Sequence, residues 1–171
     1  NWPRDLCPPA RHNMGLLHQG SQWFSRKRGD TRYQVEIASI KEACLRGYRC
    51  GLEGLAITGE ASPQYTACEL NYLALAHFSY HPEDSLRAFA RSTLAPLVGG
   101  VGAAEAFVTY LAKRDAGCMV AADETALQER VRTEAEQAAG GGDWDQFRRW
   151  RWLGAYGTGL VVDGTGSLLT P

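Results

Sequence analysis

Hydrophobic positions recur every three or four residues along most of this chain, the spacing that lines one face of an α-helix. Two short stretches depart from it. Met14-Gly-Leu-Leu-His18 is one; the other runs from Leu52 to Thr58 inside Gly51-Leu-Glu-Gly-Leu-Ala-Ile-Thr-Gly-Glu60. In the second, Leu52, Leu55 and Ile57 are apolar, Ala56 is small, and no charge falls between Gly54 and Thr58. A brief apolar run without alternation predicts a strand covered on both faces, as in a parallel sheet. A carboxylate, Glu60, follows that strand directly.

Between the two strands, Tyr33, Ile37, Ile40, Cys44 and Tyr48 predict a helix from Thr31 to Gly47. Thr31-Arg-Tyr-Gln34 opens it in the form of a capping box, a hydroxyl at the N-cap and an amide three residues on. After the second strand, Ser62-Pro63 or the better box Thr66-Ala-Cys-Glu69 starts a helix with Leu70, Leu73, Ala74, His77 and Phe78 on one side. It ends near His81-Pro82, because the residue before proline avoids the helical region. Glu83-Asp84 predict the first turn of a third helix, buried through Leu86, Phe89, Ala90 and Leu94 and closed by Pro96 and Gly99-Gly100.

A fourth helix is expected from about Gly102 to Asp115, with Ala104, Phe107, Val108 and Leu111 inward. A fifth, opened by Asp123 or Thr125, carries the thin stripe Leu127, Val131, Ala135 and Ala138. Gly140-Gly-Gly142 predicts a flexible break. Asp143-Trp-Asp-Gln146 then caps a sixth helix, whose Trp144, Phe147, Trp150 and Trp152 have much apolar area to bury or, less simply, form an aromatic platform for a sugar or partner. The architecture is therefore α/β and helix-rich: one or two short parallel strands over residues 1–62, a helical region over 63–156, and a loose tail over 157–171.

Charge and cysteines narrow the function classes. The 171 residues carry a formal net charge of -1, which points to neither nucleic acid nor an anionic membrane as partner. No apolar run reaches the ~18 residues that span a bilayer. The basic run Arg26-Lys-Arg28 suits a solvated loop. Cys7, Cys44, Cys50, Cys68 and Cys118 are odd in number and form no CxxC pair. That argues against a zinc knuckle and predicts reduced, partly buried thiols, a state more at home in the cytoplasm than outside the cell. His77 and His81 have no HExxH-like partner, Gly99-Gly-Val-Gly102 lacks the lysine and preceding strand of a phosphate loop, and there is no Gly-x-Ser-x-Gly elbow. Neither metal nor cofactor is expected.

The order strand–Gly-Glu, Ser-Pro, Glu-Leu-Asn-Tyr-Leu-Ala, His-Pro-Glu, Leu-Ala-Pro-Leu-x-Gly-Gly, over roughly His12 to Leu111, resembles the C-terminal part of bacterial glycoside hydrolases with a TIM-barrel catalytic domain, hexosaminidase-like or glucuronidase-like. The resemblance implies that the two strands are the last of a barrel, with the helices after Glu60 as a C-terminal extension. It also implies a carbohydrate substrate, with the remaining strands supplied by the rest of a longer protein or by a second copy.

Glycosidic bond cleavage uses two carboxyl groups flanking the bond. Glu60 is the candidate catalytic or substrate-binding carboxylate, since the carboxyl ends of parallel strands are where such sites are built. Its alternative is a structural hydrogen bond at the sheet edge. His18, Gln19, Gln22 and Trp23 combine an indole, which stacks on a pyranose, with amides and imidazole, which bond hydroxyls. Arg32, Tyr33 and Asn71 are further candidates for sugar binding, and Glu69 suits a helix cap better than catalysis. A different class stays open: a non-catalytic helical interaction or scaffolding domain in which Glu60 is structural.

Overall fold

Both glycine-bounded apolar runs form strands. In the computed structural model, which describes residues 14–17, 35–57 and 66–157, β1 is Met14–Leu17 and β2 is Gly54–Ile57. They pair in parallel, Met14 opposite Gly54 through Leu17 opposite Ile57. The helices are α1 Ile37–Arg49, α2 Thr66–Tyr80, α3 Leu86–Val98, α4 Val101–Asp115, α5 Ala121–Gly141 and α6 Trp144–Gly157. The protein is thus helix-rich α/β with one parallel strand pair among the described residues. Two compact units divide the chain, residues 1–63 with 67–84 and residues 64–66 with 85–171.

In the first unit, β1, α1 and β2 make a crossover connection. Small residues set how closely its layers meet. A Cβ on Gly47 of α1 would lie 3.4 Å from the Leu55 side chain, and one on Gly15 would lie 2.5 Å from the same leucine. Leu52 and Leu55 thus lie against bare backbone on both elements. The strand pair is not covered on both faces as the apolar run predicts: Met14 and Ala56 are exposed. Apolar content marks a strand as able to be buried, but only neighbouring elements bury it.

α1 begins at Ile37, after the non-helical Val35 and Glu36, and not at Thr31; Thr31–Gln34 lie outside the described residues. A tertiary partner marks the true start. The Glu36 N–H donates to Asn71 Oδ1 of α2 at 2.8 Å, and Ser39 Oγ donates to Glu36 Oε2 at 2.8 Å. Ile37, Ile40 and Cys44 form the buried stripe of α1. On α2, Ala67, Cys68, Leu70, Ala74 and Phe78 are buried, and the helix stops at Tyr80, immediately before His81-Pro82, as expected.

Among its described residues the second unit contains helices and the turns between them, and no strand. Its first helix starts at Leu86, so the acidic pair is not in its first turn as expected: Ser85 is the N-cap, accepting from Ala88 N–H at 3.0 Å, and Glu83 and Asp84 precede it. Pro96 does not end α3. Inside a regular helix its ring would crowd the carbonyl four residues back and leave that carbonyl without a donor. The ladder instead widens into a π segment over Ala90–Leu94, with Ala95 N–H bonded to Ala90 O five residues back, and the helix continues to Val98. Gly99, at φ +99°, then turns the chain, and Gly100 N–H bonds to Ala95 O at 2.7 Å, the six-to-one bond of a Schellman ending. α4 leaves at 113° to α3. Among the described residues no single helix is long and apolar enough to cross a membrane.

Buried residues follow the predicted faces closely: Phe89, Ala90 and Leu94 on α3, Ala104, Phe107 and Leu111 on α4, Leu127, Val131, Ala135 and Ala138 on α5. α5 starts at Ala121 and not at Asp123 or Thr125, because Asp123 reaches back with Oδ2 to the Val120 N–H. Gly140 and Gly141 continue the helix, so the break is confined to Gly142 in the left-handed region. Asp143 Oδ1 then accepts from Gln146 N–H at 2.9 Å and opens α6 as its capping motif predicts. On α6, Trp150 and Trp152 are buried, but Trp144 is exposed, packing only edge-on against Phe147. A helix face about 100° wide cannot hide four large aromatics spread over nine residues.

Two residues of α6 tie down the end of α3. Arg149 Nη1 donates to Leu97 O at 3.0 Å, and Trp150 Nε1 donates to Val98 O at 2.9 Å. They satisfy carbonyls that the helix end leaves without donors. The turn beside them disfavours a side chain mainly through its backbone, Gly99 being at φ +99°, since the atoms a Cβ would meet are ends of flexible side chains. A Cβ on Gly99 would lie 2.7 Å from Gln146 Nε2 and 3.1 Å from Glu134 Oε2, besides its left-handed φ. Gly99→Ala is therefore expected to destabilise the protein by about 1–3 kcal/mol. Gly102→Ala, in open space on α4, should raise stability by about 0.5–1 kcal/mol. Urea denaturation of both variants checks this, and equal midpoints would contradict the turn geometry.

Candidate functional site

Parallel pairing brings the carboxyl ends of β1 and β2 to one end of the sheet, with Leu17 opposite Ile57. The chain runs on from there to His18 in one case and to Thr58-Gly-Glu60 in the other. Glu60, His18, Gln19, Gln22, Trp23, Arg32 and Tyr33 all lie outside the described residues. Asn71 is described, and its environment corrects the expectation of a sugar contact. It is fully buried, and its Oδ1 holds the Glu36 N–H at the start of α1. Its helical position beside Leu70 is equally consistent with packing, but the partner 35 residues away is not legible in the sequence.

The same unit holds an imidazole–carboxylate pair that sequence reasoning assigns to no site. His77, near the end of α2, is buried, and its Nε2 lies 3.2 Å from Asp84 Oδ2. Phe78 meets its ring edge-on at 4.9 Å and the His81 ring lies 5.4 Å away. Burial holds the His77 pKa below the usual histidine range, with Asp84 pulling it up and His81 pushing it down. The seven-residue spacing across the His81-Pro82 turn was the available clue, since that turn folds Asp84 back toward α2. No group of three or more metal-ligating side chains occurs among the described residues.

The second unit carries a cavity of about 590 Å3 between α3, α4 and the segment after α4, within the range usual for small-ligand sites. Its apolar lining is Leu86 and Ala90 from α3 with Val108 and Ala112 from α4. Charged groups stand around it. Glu105 Oε1 accepts from Arg87 Nε at 2.8 Å and lies 3.0 Å from Arg91 Nε. The Arg87 hydrogen bond is the main reason the Glu105 carboxyl titrates below its ordinary range. Further along, Lys113 is hydrogen-bonded to Asp123, lowering that carboxyl and raising the lysine. Cys118 is exposed at the rim, its thiol donating to Lys113 O at 3.4 Å. Sequence reasoning missed the cavity because its residues sit on three segments, none with a motif. Only helix packing brings them together.

No protein-family model, curated protein or solved structure matches this chain.

Proposed function

We propose that this chain forms the closing βα part of a barrel-type carbohydrate-active hydrolase, with Glu60 as its catalytic or substrate-binding carboxylate. His18, Gln19, Gln22 and Trp23 supply the sugar-binding loop, with Arg32 and Tyr33 beside it. Asn71 is not in this set, since its amide is used within the fold. The remaining strands of the barrel come from the rest of a longer protein or from a second copy.

One observation carries the proposal: β1 and β2 are parallel, joined through a helix, and in register at their carboxyl ends. Successive barrel strands have this arrangement, and barrel active sites sit at that end. The chain itself limits how far the candidate residues can stray. His18 follows Leu17 directly, and Glu60 is three residues past Ile57, so its Cα lies within about 11 Å of the Ile57 Cα by covalent geometry. Adjacent strands are only about 4.8 Å apart. An acid and a sugar-stacking loop tethered this closely suit a shared cleft.

The test is a panel of aryl N-acetylhexosaminides and aryl glucuronides, with saturation-transfer NMR on the free sugars. Cleavage or sugar contact is expected where the remaining strands are present, in the protein or assembly of copies that completes the barrel. Glu60→Gln should abolish turnover with an unchanged circular dichroism spectrum, and Trp23→Ala should weaken sugar contact. A completed barrel that neither cleaves nor touches any of these sugars, or a Glu60→Gln variant of it with full turnover, overturns the proposal.

A second reading, a non-catalytic helical interaction domain, draws on the closed apolar core and open cavity of the second unit. Indifference to Glu60→Gln, together with cooperative melting of a monomer, would favour it.

A further inference from the structure

We propose that the cavity between α3 and α4 binds a small amphipathic anion: an apolar chain or ring carrying one carboxylate or similar acidic head group. This site lies wholly within the second unit and does not depend on the hydrolase proposal.

The apolar half of the ligand is called for by the apolar part of the lining. Leu86, Ala90, Val108 and Ala112 present only methyl and methylene groups, and apolar surface is best covered by apolar surface. The anionic half is called for by the charge count at one end. Arg87 and Arg91 both turn their Nε to the same Glu105 oxygen. Arg87 lines the cavity and Arg91 lies just outside the lining, and the two cations share the one carboxylate of Glu105, so positive charge exceeds negative in this trio. Neither guanidinium is buried by the pairing: the side chains are 69% and 56% exposed. Each keeps terminal N–H donors of the planar fork that binds carboxylates in bidentate fashion. At the other end Lys113 is matched one to one by Asp123, so the field is asymmetric and orients the ligand with its head toward Arg87. Simple apolar ligands leave that charge unmatched, and cations are repelled by it.

Cys118 supplies a built-in reporter, because it lines the cavity and is exposed. The experiment measures iodoacetamide labelling of each cysteine in the full chain, by peptide mass spectrometry, across micromolar to millimolar decanoate kept below its aggregation threshold. Decanol, decyltrimethylammonium and acetate serve as comparison probes. Decanoate is expected to protect Cys118 saturably while leaving Cys50 labelling unchanged. The neutral and cationic chains and the bare head group should protect it at least about tenfold less effectively, the size of one lost charge-assisted hydrogen bond. The double variant Arg87→Ala/Arg91→Ala alters exposed side chains only and should weaken protection by decanoate about tenfold or more. Ala112→Trp, at an exposed helical position facing the cavity, should remove protection by filling the space. If decanoate fails to protect Cys118, if all chains protect equally, or if the arginine variant retains full affinity, the proposal is overturned.

Discussion

Replacing Trp150 by alanine is expected to cost about 3–5 kcal/mol of stability, the range for deleting a large buried aromatic. Three contributions converge on this residue. It is fully buried, so its removal opens a cavity in the core of the second unit. Its ring meets Phe107 of α4 edge-on, with centroids 5.2 Å apart, a geometry favoured by the aromatic quadrupole. Its Nε1–H also holds Val98 O at the end of α3 at 2.9 Å. One side chain of α6 thus secures both helices that meet at the Gly99 turn. Trp150→Phe separates the contributions: it keeps most of the packing and strands the carbonyl, for an expected loss of about 1–3 kcal/mol. Urea denaturation followed by far-UV circular dichroism measures both. A loss below about 1 kcal/mol for the alanine variant would place it among ordinary surface changes and contradict the packing described.

The second large effect is expected in alkali. Cys44 of α1 and Cys68 of α2 are buried, and burial pushes each thiol from 9.0 up to about 11. The folded protein therefore keeps two protons that the unfolded chain releases above pH 9. Their contribution to stability is fully present below pH 9 and is lost as pH rises toward 11. Each two-unit shift corresponds to about 2.7 kcal/mol, so the first unit should weaken steeply across this window. Lysines and tyrosines titrate in the same range, and a Cys44→Ala/Cys68→Ala variant isolates the thiols. It is expected to be less stable at pH 7, from lost packing, yet to lose less stability between pH 8 and 11. Parallel stability curves for the two proteins would show that these thiols do not carry the alkaline loss.

Much of the fold was legible because its signals are local. The stripe Leu127, Val131, Ala135 and Ala138 is the buried face of α5, since a period near 3.6 leaves one face for the core whatever lies opposite. Asp143 caps α6 and His81-Pro82 stops α2 for reasons contained in a few residues of chain. The failures have a common cause. Thr31 has the better capping sequence, but the start of α1 is marked by an amide 35 residues away, on Asn71. Pro96 reads as a stop, but a π segment lets α3 run past it. Trp144 reads as core and lies in solvent. In the first two cases a distant partner or a change in ladder geometry outweighed a local preference worth at most a few kcal/mol, and in the third one helix face was too narrow for four large aromatics.

The candidate sites divide the same way. Two strands, their glycine limits and the acid after the second were visible as sequence, because short apolar runs and chain breakers act within a few residues. Their parallel pairing, which brings two carboxyl ends to one edge, required the crossover through α1. The cavity beside Glu105 owes nothing to any motif; it exists because α3 turns through 113° into α4 and leaves a hollow that neither helix fills. From its residues alone the chain determined which segments coil and which faces turn inward, since those depend on neighbours a turn away. Which groups meet across the fold was decided by packing, because contacts between distant segments are chosen by the space left when every buried face has found cover.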